Sequence, residues 1–206
     1  MAVVTIVDYG MGNLRSVQKA FEHLGASARV TSSPAAVRRA GALVLPGVGA
    51  FGDAMRELRR RHLVKPILER IRAGVPFLGL CLGLQLLFET SEEAPGVKGL
   101  GVLRGRVRRI PRRPASLKVP HMGWNQLERT NGSVLLRGVR DGDFVYFVHS
   151  YYADASDPGV VAAWTTYGCR FPSVVTAGHV AATQFHPEKS QKVGAMILKN
   201  FLRTAC

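Results

Sequence analysis

Three side chains in this 206-residue chain have the types and spacing of a nucleophilic site: Cys81, His186 and Glu188. Cys81 sits in VPFLGLCLGLQLLF, Val75 to Phe88, at the centre of G-x-C-x-G. The apolar run Val75 to Leu78 predicts a buried strand, and from Leu82 the pattern turns helical. A nucleophile between two glycines on such a strand-to-helix turn stands exposed at the carboxyl end of the strand. The helix behind it would aim its positive N-terminus at the sulfur and favour the thiolate. The competing reading is an inert cysteine packed as a small hydrophobe.

A thiol nucleophile needs a base to carry its proton and a group to orient that base. Of the six histidines, His23 and His62 fall in helical surface patterns and His121 in a loop, PHMGW. His149 and His179 lie within or beside strands. His186, in QFHPEKS, follows an apolar strand over 179–184. Pro187 keeps His186 out of the helical region. Residues two apart in an extended chain share a side, so Glu188 is placed to hold one ring nitrogen while the other faces the thiol. A surface charge pair on a turn is the alternative. A further part is PGVGAFGDAM, with three glycines between positions 47 and 52. Such a loop either turns into the helix expected near Asp53 or brings backbone amides up to an anion. It lacks the G-K-[ST] ending of a Walker A loop. Together with the Leu82 amide, these are the parts of an acyl-transfer site: nucleophile, base, orienter and oxyanion donors. Their order, Cys…His…Glu, differs from the Ser…Asp…His order of α/β-hydrolases.

The elements that must position them alternate at first. Strands are predicted at Val3 to Val7, Ala28 to Thr31, Ala42 to Leu45 and Val75 to Leu78. Helices are predicted from Leu14 to Leu24, from Pro34 towards Gly41, from Ala54 to Arg61 and from Val64 to Arg72. This predicts an α/β fold: a mostly parallel, doubly wound sheet flanked by helices, with its site at the carboxyl ends of the strands. The Gly47–Gly49 loop and Cys81 both leave strands at that edge. DYGMGN opens a G-x-G, but Arg15 stands where the third glycine of a dinucleotide fingerprint belongs. The second half predicts strands at Val102 to Ile110, Asp143 to His149, Val160 to Thr165, Ser173 to Thr176 and His179 to Gln184, an antiparallel or mixed extension of the sheet. A helix from Lys192 to Arg203 closes the chain, with Ser190 as candidate N-cap. No repeat or linker divides residues 1–206, and one domain is expected.

Composition sets bounds. With 47% hydrophobic and 20% charged residues the chain is ordinary for a globular protein. No apolar run reaches membrane-spanning length. The N-terminus, MAVVTIVDYG, carries neither basic n-region nor cleavage site, so no signal peptide is expected and the cytoplasm is the default. Three cysteines, widely spaced, form neither a disulfide framework nor a zinc pattern. The net charge of +14 raises the question of nucleic acid. The arginines are dispersed, however, and the densest run, RGRVRRIPRRP from Arg104 to beyond Arg113, has no interleaved aromatics and no helix-turn-helix or RNA-binding motif nearby. A solvated basic face, or one that meets an acidic partner, accounts for it, and no nucleic acid or membrane partner is expected.

PGVGAFGDAM, GLCLGLQLLF, YFVHSYY and FHPEKS together resemble the class I, or triad, glutamine amidotransferases. Within that class DYGMGN, PGVGAFG, SEEAPGVKGLG and PHMGWN are similar to the glutaminase subunits of imidazole glycerol phosphate synthases. The match runs from Val7 to Ser190. The resemblance implies that Cys81 attacks the side-chain amide of glutamine to give a thioester and ammonia, with His186 shuttling the proton and Glu188 orienting it. It implies an oxyanion hole of Leu82 and the Val48–Gly49 segment, where Val48 replaces a glycine of many relatives and a flip of its peptide would switch the enzyme on. It places glutamine against Gly47, Gln85, Ser150 and Tyr151, with Glu93 for its ammonium. It assigns Asn13, Met122, Trp124, Tyr146 and Lys189 to the interface with a (β/α)₈-barrel cyclase, a heterodimer that receives the ammonia. Lys189 would meet a carboxylate on the barrel. For Trp124 and Tyr146, core packing is the alternative. No metal or organic cofactor is implied. The rivals are a glutaminase serving pyridoxal phosphate or anthranilate synthesis, a stand-alone cysteine hydrolase, and a basic nucleic-acid-binding domain with a buried Cys81.

Overall fold

A computed structural model describes residues 3–112, 114–130 and 132–205. The first half alternates as the hydrophobic spacing predicts: β1 (Val3–Val7), α1 (Leu14–His23), β2 (Ser27–Thr31), α2 (Pro34–Arg38), β3 (Leu43–Gly47), α3 (Phe51–Arg60), α4 (Val64–Arg72), β4 (Phe77–Cys81) and α5 (Leu82–Gln85). The second half is strand-rich: β5 (Thr90–Ser91), β6 (Gly105–Arg109), β7 (His121–Gln126), β8 (Glu128–Arg129), β9 (Phe144–His149), β10 (Tyr151–Ala155), β11 (Val161–Tyr167), β12 (Cys169–Ala177) and β13 (Val180–Thr183), then α6 (Gln191–Thr204).

The main sheet has the order β2-β1-β3-β4-β13-β12-β11-β8. From β2 to β13 the strands are parallel; β12, β11 and β8 join antiparallel. Strands β3 and β4 are buried at every position, which is why they read as continuous apolar runs. Alternate residues feed a core on each face. Val4, Ile6, Val44 and Leu78 pack with Phe21 of α1 and Phe201 of α6. Val7, Leu43, Leu45 and Phe77 pack with Leu58 of α3 and Ile67 of α4. Each of these fully buried side chains contributes roughly 1.5–3 kcal/mol.

The late strands depart from expectation, for not all of them extend the main sheet. β6 lies between β10 and β5 in a separate sheet, and β7 and β9 form a two-stranded ribbon. Of β6 only Val107 is buried. Arg106 pairs with Asp154 at 3.6 Å, and Arg108 with Glu92 and Asp154 at 3.5 Å each. The Arg-rich run is thus partly matched within the chain, by exposed pairs each of small worth; Arg113 and Cys206 lie outside the described residues. PHMGW is not a loop: β7 pairs antiparallel with β9, His121 opposite His149 and Trp124 opposite Tyr146. Its apolar members face outward, so the pattern carries no core signal.

The elbow also differs in extent. β4 runs past Leu78 to Cys81 because its neighbours continue the ladder, Thr183 beside Leu80 and Gly47 beside Cys81. The helix behind it ends at Gln85 and does not reach Phe88. The carbonyls that would continue it are taken by segment 99–103: Leu100 N–H donates to Leu86 O at 2.8 Å and Val102 N–H to Leu87 O at 2.9 Å. A single turn adds little macrodipole, so positive charge at the sulfur comes from the nearest N–H groups and not from a long helix. Gly83 is the tightest point, since a Cβ there would lie 1.9 Å from Leu45 O. Gly83→Ala must push α5 off β3. A loss of about 1–3 kcal/mol is expected, seen as a lower urea midpoint at unchanged slope.

Candidate active site

Cys81 adopts φ 53° and ψ −104°, a conformation a residue with a Cβ holds only when its surroundings over-determine it. Here β3 and β13 grip the strand on both sides and α5 turns away at once. The side chain emerges at the carboxyl edge beside Gly47. Its sulfur lies 3.9 Å from Val148 O and 3.7 Å from Gln184 Nε2.

His186 is extended, φ −100° and ψ 96°, as Pro187 demands. Glu188 reaches it by a different route from the one expected. Residues Pro187–Lys189 form a 3₁₀ turn, which curls the carboxylate back so that its Oε1 accepts from His186 Nδ1 at 2.8 Å. The two side chains are only 4% and 2% exposed. The turn is clamped to β9. His186 N–H donates to Tyr146 O at 3.0 Å, Ser190 Oγ donates to His186 O at 2.7 Å, and Tyr146 N–H donates to Ser190 Oγ at 3.0 Å. Ser190 does precede α6, but its hydroxyl makes no cap bond; the clamp occupies it.

Burial pushes the His186 imidazole down, but the facing Cys81 sulfur and the Glu188 carboxylate outweigh it and raise its pKa to about 10. A ring protonated at neutral pH offers an N–H at each nitrogen. Glu188 takes Nδ1–H, whereas Nε2 has no partner in hydrogen-bond geometry. The ring is therefore oriented by Glu188, with Nε2 facing the sulfur but outside strict hydrogen-bond geometry.

A pocket of about 260 Å³ opens over the sulfur. Val48, Gly49 and Leu82 line it, as do Gln85, Glu93, Ser150 and Tyr151. Gly47 does not; it is buried beside Cys81, where a Cβ would fall 2.5 Å from the Tyr9 hydroxyl oxygen. The Val48 and Gly49 N–H groups have no hydrogen-bond partner among the described residues, and Gly49 has φ 94°. One oxygen of Glu93 accepts from Phe51 N–H at 2.7 Å, which leaves the other for a cation. On the outer side, Met122 and Trp124 are 63% and 46% exposed, so Trp124 is no core residue. Its ring meets Tyr146 edge-on at 5.9 Å, and the Lys189 ammonium lies 5.8 Å from the Tyr146 ring centre. Asn13 is exposed at the start of α1.

Residues 5–205 match the family described as glutamine amidotransferase class-I. The chain is 55% identical to imidazole glycerol phosphate synthase subunit HisH of Syntrophotalea carbinolica, over 97% of this chain and 98% of that protein. With the subunit HisH of Geobacter metallireducens the identity is 54%, over 98% of each. The chain belongs to the class-I glutamine amidotransferases, in the HisH family. A crystal structure of a glutamine amidotransferase, 24% identical, superposes with a TM-score of 0.76 over 98% of each chain, a likeness of fold.

Within this class-I site four residues escape the sequence reading. Gln184 is fully buried and links the sulfur to Gln85, whose Nε2 donates to Gln184 Oε1 at 3.3 Å. A lone glutamine closing an apolar strand before FHPE is the signal it offers. Tyr9 carries a buried hydroxyl without a partner, and burial, with Cys81 second, raises its pKa. His149 lines the pocket and His121 bonds to it. Nothing in their spacing distinguishes them from core residues.

Glu188→Gln removes the carboxylate that holds the proton on His186. The imidazole then deprotonates at lower pH, so the alkaline limb of the pH–rate profile for glutamine hydrolysis moves towards neutrality. The rate at the optimum falls by roughly 10²-fold or more.

Proposed function

We propose that this chain is the glutaminase subunit of an imidazole glycerol phosphate synthase, acting in histidine biosynthesis. The observation that carries the reading is a strained, pocket-facing Cys81 backed by a buried His186–Glu188 pair. Cys81 attacks the side-chain carbonyl of glutamine. The sulfur–carbon bond forms, the carbon–nitrogen bond breaks, and His186 delivers the thiol proton to the departing ammonia. Water, losing a proton to His186, then cleaves the thioester to glutamate and frees the thiol. The developing oxyanion is met by the Leu82 amide and one amide of the Val48–Gly49 segment, whose unpartnered N–H groups support that role. Gln85, Ser150, Tyr151 and Glu93 hold the amino-acid end of the substrate. Gly47 acts through the placement of Cys81.

Ammonia passes to a (β/α)₈-barrel cyclase, which forms imidazole glycerol phosphate and aminoimidazole carboxamide ribonucleotide. Free ammonia would be protonated and lost in water, so a closed interface preserves it. The exposed Met122 and Trp124, with Tyr146, Lys189 and Asn13, are assigned to that interface, and the basic surplus favours an acidic partner face. The assembly is read as a cytoplasmic heterodimer with residues 1–206 as one domain. The names of the curated relatives support this pathway over pyridoxal phosphate or anthranilate synthesis. No helix is long and apolar enough to cross a membrane among the described residues.

The deciding measurement is ammonia release from glutamine with and without the barrel subunit and its nucleotide ligand. Turnover should rise at least tenfold with the partner, and Cys81→Ser should abolish it; turnover that survives that substitution defeats the mechanism. At Gly49, φ 94° disfavours any side chain. Gly49→Val should therefore suppress the stimulation by the partner while Cys81 remains open to iodoacetamide.

A further inference from the structure

The carbonyl of Tyr151 accepts two hydrogen bonds at the edge of the pocket, from Gln85 Nε2 at 2.8 Å and from His149 Nδ1 at 2.9 Å. A carbonyl only accepts, so Nδ1 of His149 carries its proton. His149 Nε2 is then an acceptor, and the nitrogen 3.0 Å away, His121 Nδ1, must donate to it. By the same logic His121 Nε2 accepts from Asn125 Nδ2 at 3.2 Å. Asn125 has a second amide proton, which it donates to Thr166 O on β11 at 3.1 Å. Donation therefore starts at Asn125, anchored to the main sheet by its second proton, and runs one way through His121 on β7 and His149 on β9 into the pocket wall. The rings are held in plane: Tyr167 stacks on His121 at 4.0 Å between centroids and Phe147 at 4.8 Å.

We propose that His121 and His149 form a positioning relay that fixes the Tyr151 carbonyl, and through it Gln85, as the glutamine-binding edge of the site. The proposal rests on the glutaminase reading and names two histidines that the triad chemistry does not use. Each ring must stay neutral for the chain to close, because an added proton would set two N–H groups against each other. Burial drives both in that direction, the pKa of His121 to about 4 and that of His149 to about 3, the latter despite its bond to Tyr151 O. The ionisable groups that face the pair are Tyr167 on one side and His186 beyond His149. His121 itself is absent from the pocket lining, so it acts only through the relay.

The test uses the chain with its barrel partner, and His121→Leu and His121→Asn variants. Leucine removes the donor to His149, whereas asparagine keeps an amide N–H near the place of Nδ1. Stranding a buried acceptor corresponds to roughly a tenfold loss of affinity. The expected result for His121→Leu is a tenfold rise in KM for glutamine, with kcat within threefold and an unchanged rate of Cys81 alkylation by iodoacetamide. The glutamine concentration that protects Cys81 from alkylation should rise by the same factor, and His121→Asn should recover most of it. Should His121→Leu fail to fold, Asn125→Ala, which frees His121 Nε2, should shift protection about threefold the same way. A wild-type KM in the leucine variant, a loss confined to kcat, or an asparagine variant no better than leucine overturns the relay alone. A wild-type protein that neither releases ammonia nor is protected by glutamine overturns the glutaminase reading and the relay with it.

Discussion

Everything at the site depends on how closely β3 and β4 approach at their carboxyl ends. Gly47 pairs with Cys81, and the space for a Cβ on Gly83 is filled by Leu45 O. That contact forces the chain to leave β4 at once, and the forced exit is what puts Cys81 at φ 53°. The same pairing delivers the Val48–Gly49 amides to the rim of the pocket over the sulfur. Cys81 and the loop amides proposed as oxyanion donors thus come from one backbone contact, and neither would be placed if a side chain separated the strands. The strain is stored locally and is balanced by two apolar cores that hold the sheet from both faces.

Burial pushes every histidine of this site in the same direction, and their neighbours decide the outcome. His186 is as deeply buried as His121, at 3% exposed each, and desolvation disfavours the charged form of both. His186 faces a carboxylate and a sulfur, so it gains a proton. His121 faces a histidine, an amide and stacked rings, so it stays neutral. The fold thereby maintains a charged imidazole for proton transfer and a neutral pair for holding geometry a few residues apart in space. His186 shows its carboxylate two residues on, but the neutral pair gives no such local sign, because His121 and His149 lie 28 residues apart in the chain.

What was legible follows the same division between local and distant. The parallel half reads directly, since Val3–Val7, Leu43–Gly47 and the helices between carry their burial in their spacing. Cys81, His186 and Glu188 read from local grammar as well: a glycine-flanked turn and a proline that fixes one backbone angle. The pairing of Glu188 with His186 is as expected even though its supposed cause, an extended chain, is replaced by a 3₁₀ turn. The failures cluster where a segment owes its structure to another. β7 hides its strand because Met122 and Trp124 face out and His121 faces in. The helix after the elbow ends early because segment 99–103 takes its carbonyls. Ser190 leaves its cap because Tyr146 and His186 claim its hydroxyl.

Tyr146 joins these two levels. Its backbone N–H and C=O both enter the clamp on the catalytic turn, the first through Ser190 and the second through His186. Its ring lies on the opposite side, between Trp124 and the Lys189 ammonium. A surface that covers Trp124 and Lys189 would therefore press on a residue whose main chain sets the height of His186 above Cys81. In this structure His186 Nε2 has no partner in hydrogen-bond geometry while Glu188 already holds Nδ1, so the height of the ring over the sulfur is what remains to be set. Side chains alternate across a pleated strand while the main chain is shared, so a load on the Tyr146 ring acts on the same main chain that holds the turn of His186. A partner subunit seated on this surface would then reach the active site with no moving domain, through a strand with one face in solvent and its main chain bonded to the turn of His186.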